Sequence, residues 1–353
     1  MEWGKFFEIV WFDSLGAKSA SVLLHGEGCD ILVDPGAAAM QPSYPLPEDH
    51  KKRLREQALR KIASLMRSSR VRVIIITHYH YDHHPRPGDP LLPLELFKGK
   101  TILAKNPNEY INESQWRRAR LFFESLAKII GVERVLVEPE SKEYVDPVMS
   151  LQLALSKKFP GYDDRRRELI SKGREWFRRL TRLWIRGPWI AEVKDGVETV
   201  WADGRKIQAC GIEIEFTPPW FHGVEYDRTG WVIGFQARRA NISLFYTSDV
   251  MGPIIEDYAE EIAKNRPDIV MLDGPPTYLY PYMLNRINLE RAIENAITII
   301  DSEPKLIIYD HHLLREKRWR ERVRPVIEHA ARRGVALLTA AEYLGKKPLI
   351  DTL

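Results

Sequence analysis

Cysteine is almost missing from this chain: Cys29 and Cys210 are the only two in 353 residues. Two such distant thiols make no C-x-x-C pair and no disulfide framework, so a bridge-built secreted scaffold is excluded and a reducing, cytoplasmic setting is expected. Long apolar runs are missing too. None approaches the roughly eighteen residues of a membrane span, so no membrane helix is expected. The opening MEWGKFFEIVWFD carries acids and lacks a basic lead before a long apolar core, which reads as no signal peptide. Neither charge dominates: 53 Lys and Arg stand against 49 Asp and Glu, a formal net of +4. Any nucleic-acid affinity must therefore come from a local patch. Glutamine is scarce while 33 of the 53 basic residues are Arg, a bias toward a thermophile. No repeat or low-complexity segment is present. What remains, 44% apolar and 29% charged, is the composition of a soluble globular protein of one large domain or two.

The densest chemistry lies in residues 71–84, VRVIIITHYHYDHH. Val71, Val73, Ile74, Ile75 and Ile76 read as a strand buried on both faces. Just beyond Thr77 come His78, His80, Asp82, His83 and His84. Alternate residues of an extended segment share a side, so His78 and His80 can converge on one point. Asp82 and His83 fall where the chain turns and can face a second point. Imidazoles with a carboxylate suit zinc or another first-row divalent ion rather than magnesium or calcium. A solvated loop tip would give no reason for such density directly after a buried strand.

In chain order, residues 6–12, 19–25 and 30–33 read as an antiparallel meander ending in Asp34-Pro35-Gly36. Asp34 could orient a metal-bound histidine or simply make the turn. Residues 48–67 have the stripe of an amphipathic helix. A strand at 101–105, a helix at 108–130 with Asn108 as a cap, and a strand at 132–137 follow. In the second half, strands at 207–216, 231–237, 242–246, 268–272, 305–309 and 335–338 alternate with helices at 254–265, 289–301 and 317–332. Several strands end at metal-competent side chains: His222, Asp249, Asp273, His311 and His312. Gathering ligands from strand ends is how layered α/β enzymes build sites.

Residues 157–186 break the pattern, with eleven Lys and Arg against four Asp and Glu. Phe159, Tyr162, Trp176, Phe177 and Trp184 are interleaved. One reading is an arm in which Arg165, Arg166 and Arg167 grip phosphates while the aromatics stack on bases. The other is a solvated helix whose aromatics and arginine stems cover the body of the protein. The near-helical spacing of Leu169, Trp176, Leu180 and Leu183 favours the second.

His78-x-His80-x-Asp82-His83, followed in order by His222, Asp249 and His311, resembles the metallo-β-lactamase superfamily, and Asp34 matches its early aspartate. YHYDHH, INESQ with WADG, and DHHLLR are similar to an archaeal branch of predicted metal-dependent hydrolases. The resemblance spans roughly 6–105 and 206–340. It implies an αββα sandwich over 1–353 with a basic helical insertion at 139–205. It further implies two divalent metal ions, zinc first among them: His78, His80 and His222 on one, Asp82, His83 and His311 on the other, Asp249 bridging. His311 is preferred to His312 because it leaves Arg315 four residues on, where it would meet substrate. His84 is expected to support the site rather than ligate. A hydroxide shared by the ions would attack a phosphodiester, nucleic acid included. His84, His312 or Asp273 would then protonate the leaving group. The alternatives are a small-molecule ester or thioester hydrolase, with the insertion as lid or dimer contact, and a non-catalytic metal-bound protein.

Overall fold

Strand Val71–Ile76 is buried on both sides because successive side chains point to opposite faces. Val73 and Ile75 pack between two sheets, whereas Ile74 and Ile76 pack beneath helices. The computed structural model describes residues 5–353. Residues 1–4, where the stretch read as lacking a signal peptide begins, lie outside the described residues.

The first sheet has six strands in the order Phe7–Phe12, Ala20–His25, Asp30–Val33, Val71–Ile76, Thr101–Ala104 and Glu198–Trp201. The expected meander supplies its antiparallel pairs, and every later pairing is parallel. The second sheet has seven, in the order Ala336–Leu338, Leu306–Asp310, Ile269–Asp273, Ile242–Tyr246, Phe235–Arg239, Ile212–Phe216 and Lys206–Ala209. Val22, Ile31, Val33 and Ile75 of the first meet Ile214, Phe235, Tyr246, Met271 and Ile308 of the second. Helices Glu48–Arg67 and Glu113–Ile130 cover the outer face of one sheet. Glu256–Lys264, Arg286–Asp301 and Arg324–Arg333 cover the other. This is the αββα sandwich. Among the described residues, no helix is long and apolar enough to cross a membrane.

Several expected elements are shorter or broken, each for a local reason. The run 207–216 folds back on itself because Cys210 (φ 52°) and Gly211 (φ 71°) form a left-handed two-residue hairpin turn. The run 231–237 splits at Gly234, where a Cβ would lie 2.8 Å from the Tyr246 carbonyl oxygen. Ile233 there donates its N–H to the Thr77 carbonyl, 3.1 Å away, tying this segment to the histidine loop. Helix Glu113–Ile130 starts five residues after the expected cap. Asn112 caps it by accepting from the Gln115 N–H, while Asn108 is held by both main-chain groups of Ile190. Strand Glu198–Trp201, inside the segment read as an insertion, pairs in parallel with Thr101–Ala104 of the first sheet. The expectation of unpaired cysteines is overturned: Cys29 and Cys210 form a disulfide across 181 residues. Their turns meet only because the sheets pack.

Candidate metal centre

The chemistry-bearing residues sit just past strand ends at one edge of the sandwich, several on backbone that ordinary residues avoid. Asp34 (φ 44°), Ser248 (φ 55°) and His311 (φ 60°) are all left-handed, the kind of strain that concentrates at functional sites. Asp34 is wholly buried and fully committed. Its Oδ1 accepts from the Thr77 N–H at 2.8 Å. Its Oδ2 accepts from the Thr77 hydroxyl at 2.7 Å and the Tyr246 hydroxyl at 2.8 Å, and faces His83 Nδ1 at 2.8 Å. Gly36 lets this turn pass beneath the loop: a Cβ there would lie 2.4 Å from the His84 nitrogen.

Two groups of side chains converge beyond these ends. His78, His80, His222 and Asp249 each bring one ligand atom into a cluster no wider than 4.8 Å, and so do Asp82, His83 and His311. Asp249 touches both. Its Oδ2 lies 3.5 Å from His78 Nε2 and 3.3 Å from His222 Nε2. Its Oδ1 lies 3.0 Å from His83 Nε2 and 3.2 Å from His311 Nε2. A third cluster joins Asp249, His311 and His312. Both adjacent histidines therefore reach the centre, although neighbours in extended backbone point to opposite sides. The chain has already left extended geometry at His311.

The electrostatics fit bound cations. Burial and neighbouring imidazoles hold His78 and His80 well below the usual histidine range, so their nitrogens keep free lone pairs. Burial acts the same way on His83, but the Asp249 and Asp34 carboxylates outweigh it and hold His83 up at about 10. Asp249 and Asp13 do likewise for His311. The positive charge these carboxylates demand is the charge that divalent ions would bring.

The residue that sequence reasoning missed is Asp13. Wholly buried, it faces His311 Nδ1 through Oδ1 at 2.9 Å and accepts from Arg315 Nε through Oδ2 at 2.6 Å. Its one signal was its place directly after a buried strand, which read as a turn. Arg315 is buried with Nη2 3.7 Å from Asp82 Oδ2. Asp273 holds His312 Nδ1 at 2.9 Å, leaving Nε2 3.9 Å from Asp249 Oδ2. Burial, then the Asp249 charge, pushes Asp273 up to about 7. His84 packs instead against Tyr79, Tyr81 and Phe122, with neither ring nitrogen hydrogen-bonded.

The basic segment forms helix Asp163–Arg186, and its aromatics turn inward. Trp176 stacks on Trp231 at 5.6 Å, and Phe177 and Trp184 join the same buried cluster. The expectation that Arg166 is free to grip a phosphate is overturned: it donates to Glu225 at 2.5 Å, and Glu225 also pairs with Arg291 at 2.9 Å. Arg165 and Arg167 are exposed and pair with Glu168 and Asp164. A cavity of about 810 Å³ runs along the loop that carries Asp82 and His83, with Ala38, Arg55, Arg60, Tyr81 and Arg86 in its wall.

The family model of the Metallo-beta-lactamase superfamily matches residues 16–83. A UPF0282 protein of Aeropyrum pernix is 32% identical over 347 residues, covering 97% of this chain and 94% of its own. A UPF0282 protein of Korarchaeum cryptofilum is 29% identical, covering 95% and 87% respectively. Among solved structures, the metallo-beta-lactamase fold protein YhfI from Bacillus subtilis aligns at a TM-score of 0.43 and 11% identity, covering 91% of this chain and 88% of that one.

Proposed function

Because this chain belongs to the UPF0282 family, and with it to the metallo-β-lactamase superfamily, we propose that it is a metal-dependent hydrolase that holds two divalent ions and cleaves a phosphodiester. One observation carries the reading: two groups of nitrogen and oxygen ligands face the two separate oxygens of a single buried carboxylate, Asp249. The imidazole-rich donor set favours zinc. Such ions supply an activated water and stabilise charge on the attacked group.

The chain's own residues do the rest. Asp34 and Asp13 face the Nδ1 atoms of His83 and His311, fixing the tautomers whose Nε2 atoms point inward. Asp273 is the opposite case: pushed up to about 7, it can hold a proton facing His312 Nδ1. His312 Nε2 then carries the imidazole N–H and can give it to a departing oxygen while the Asp273 proton passes to Nδ1. His84, enclosed by rings, takes no part in that step.

The test couples elemental analysis to a panel of generic phosphodiester, phosphomonoester, ester and thioester substrates. Close to two zinc per chain and a phosphodiester preference, lost with chelator and restored with zinc, are expected. Fully metallated protein that cleaves none of them would refute it. A second reading, polyanion binding, draws on the exposed Arg178, Arg179, Arg182 and Arg186, whose side chains have no partner among the described residues. Steeply salt-dependent retention on RNA or DNA would support it.

A further inference from the structure

We propose that Lys18, Arg315 and Tyr278 form a receptor for a phosphate-type oxyanion, which receives an anionic group of the substrate beside Asp82. That the ligand is a substrate rests on the hydrolase reading; that it is an anion rests on the geometry alone.

Arg315 spends only part of its guanidinium on the protein. Its Nε is fixed by Asp13 at 2.6 Å, and its Nη1 lies 3.4 Å from the Tyr278 hydroxyl. Its Nη2 is buried with no hydrogen-bond partner, 3.7 Å from Asp82 Oδ2. A buried donor left unmade is costly, and a guanidinium edge held in this way is shaped to take two oxygens at once. Asp82 cannot serve it well, since it also belongs to the ligand group of His83 and His311.

Lys18 adds a second cation. Its backbone pairs with Ala38 through two hydrogen bonds of 2.9 Å, and the next residue, Ser19, donates its N–H to Asp13. The side chain is half-buried and makes no ion pair or hydrogen bond among the described residues. Burial, and then the nearby Arg315, lowers its pKa, while Asp82 and Asp13 act the other way. Ser19, the residue after Lys18, and Arg315 both donate to Asp13, which brings the two cations to one neighbourhood, and an anion between them offsets their repulsion. Tyr278, whose ring centre lies 5.7 Å from the Arg315 guanidinium carbon, contributes a hydroxyl donor. A point charge, a planar fork and a phenol together match a tetrahedral oxyanion. Ala38, the backbone partner of Lys18, also lines the cavity, which gives the remainder of such a molecule a place to lie.

Lys18→Met and Tyr278→Phe test this, because neither residue faces the ligand clusters. Arg315 is left intact because its Nε supports the aspartate behind His311. Calorimetry with inorganic phosphate on the zinc-loaded protein is the first readout. Both variants should keep two zinc, and Lys18→Met should weaken phosphate binding about tenfold, with Lys18→Arg restoring it. The second readout is the ratio of kcat/KM for bis(p-nitrophenyl) phosphate to that for neutral p-nitrophenyl acetate, which should fall by a similar factor. Phosphate affinity that is the same in wild type, Lys18→Met and Tyr278→Phe would overturn the receptor even if both esters are cleaved. Cleavage of neither ester, with phosphate binding still dependent on Lys18, would uphold the receptor and overturn the hydrolase.

Discussion

At residue 311 a single torsion, φ 60°, decides how two neighbouring histidines divide their work. In extended backbone His311 and His312 would point apart; here both reach Asp249, backed by different acids, Asp13 and Asp273. His311 sits within 4.8 Å of Asp82 and His83 as well, so it carries more of the ligand set. His311→Ala should therefore lose about one zinc per chain together with turnover, whereas His312→Ala should keep its zinc and lose turnover. Equal metal loss from both would remove the division. Asp13→Asn should weaken metal affinity about 10–100-fold through the orientation of His311, measured by competition with a chromogenic chelator. Three ligand histidines, His78, His80 and His83, were legible because they crowd behind one buried strand. Asp13 was not, because its contacts with His311 and Arg315 join residues about 300 positions apart in sequence, and nothing local distinguishes it from a turn aspartate.

Helix Asp163–Arg186 acts on the centre through the chain that carries His222. Trp176 stacks on Trp231, and Gly173 lies so close to the Tyr226 ring that a Cβ would come within 2.4 Å of it. Glu225, three residues after His222, is gripped by Arg166 and Arg291. Burial alone would raise its pKa, but the two guanidinium groups hold it down at about 2. A depressed carboxylate adds stability that is full above its unfolded value, near 4.5, and is lost as pH falls through about 2. Glu225→Gln leaves buried Arg166 without a carboxylate, while Arg291 keeps Glu256, and should cost about 3–5 kcal/mol at neutral pH. The difference from wild type should shrink in acid, as read by denaturant unfolding across pH. Replacing Arg165, Arg166 and Arg167 together would confound this loss with any effect on polyanions. The informative set is Arg178, Arg179 and Arg182, exposed and free of partners among the described residues. The helical spacing of Trp176, Leu180 and Leu183 did show that the segment packs, although Leu169 of the same series is exposed. It could not show that Arg166 turns inward, since charge alone does not reveal which arginine meets a buried acid.

For the whole molecule, the metal centre depends on two sheets keeping their alignment, because His78 and His83 follow a strand of one and Asp249 and His311 follow strands of the other. Apolar, β-branched runs made the strands legible, and the resemblance carried by the ordered His and Asp residues implied the sandwich. The Cys29–Cys210 bond was not, because 181 residues separate cysteines that lie in two turns with no shared sequence signal. Cys29 precedes strand Asp30–Val33, whose far end leads to Asp34, so the bond pins the sheets at the edge away from the ligands. Closing a loop of this size restricts the unfolded chain by about 5 kcal/mol in the chain-entropy estimate. Such bonds also persist inside cells of hyperthermophilic archaea, so the pairing does not contradict an intracellular setting. The thermal midpoint should therefore fall clearly in reductant and in the Cys29→Ser, Cys210→Ser double variant. Zinc content at room temperature should stay near two per chain in both, because no ligand lies at that edge. A midpoint indifferent to reductant would mean that the inter-sheet core of Ile31, Ile75, Phe235 and Ile308 alone sets the alignment. Loss of zinc on reduction would instead mean that the bond controls the distance between the ligand-bearing strand ends.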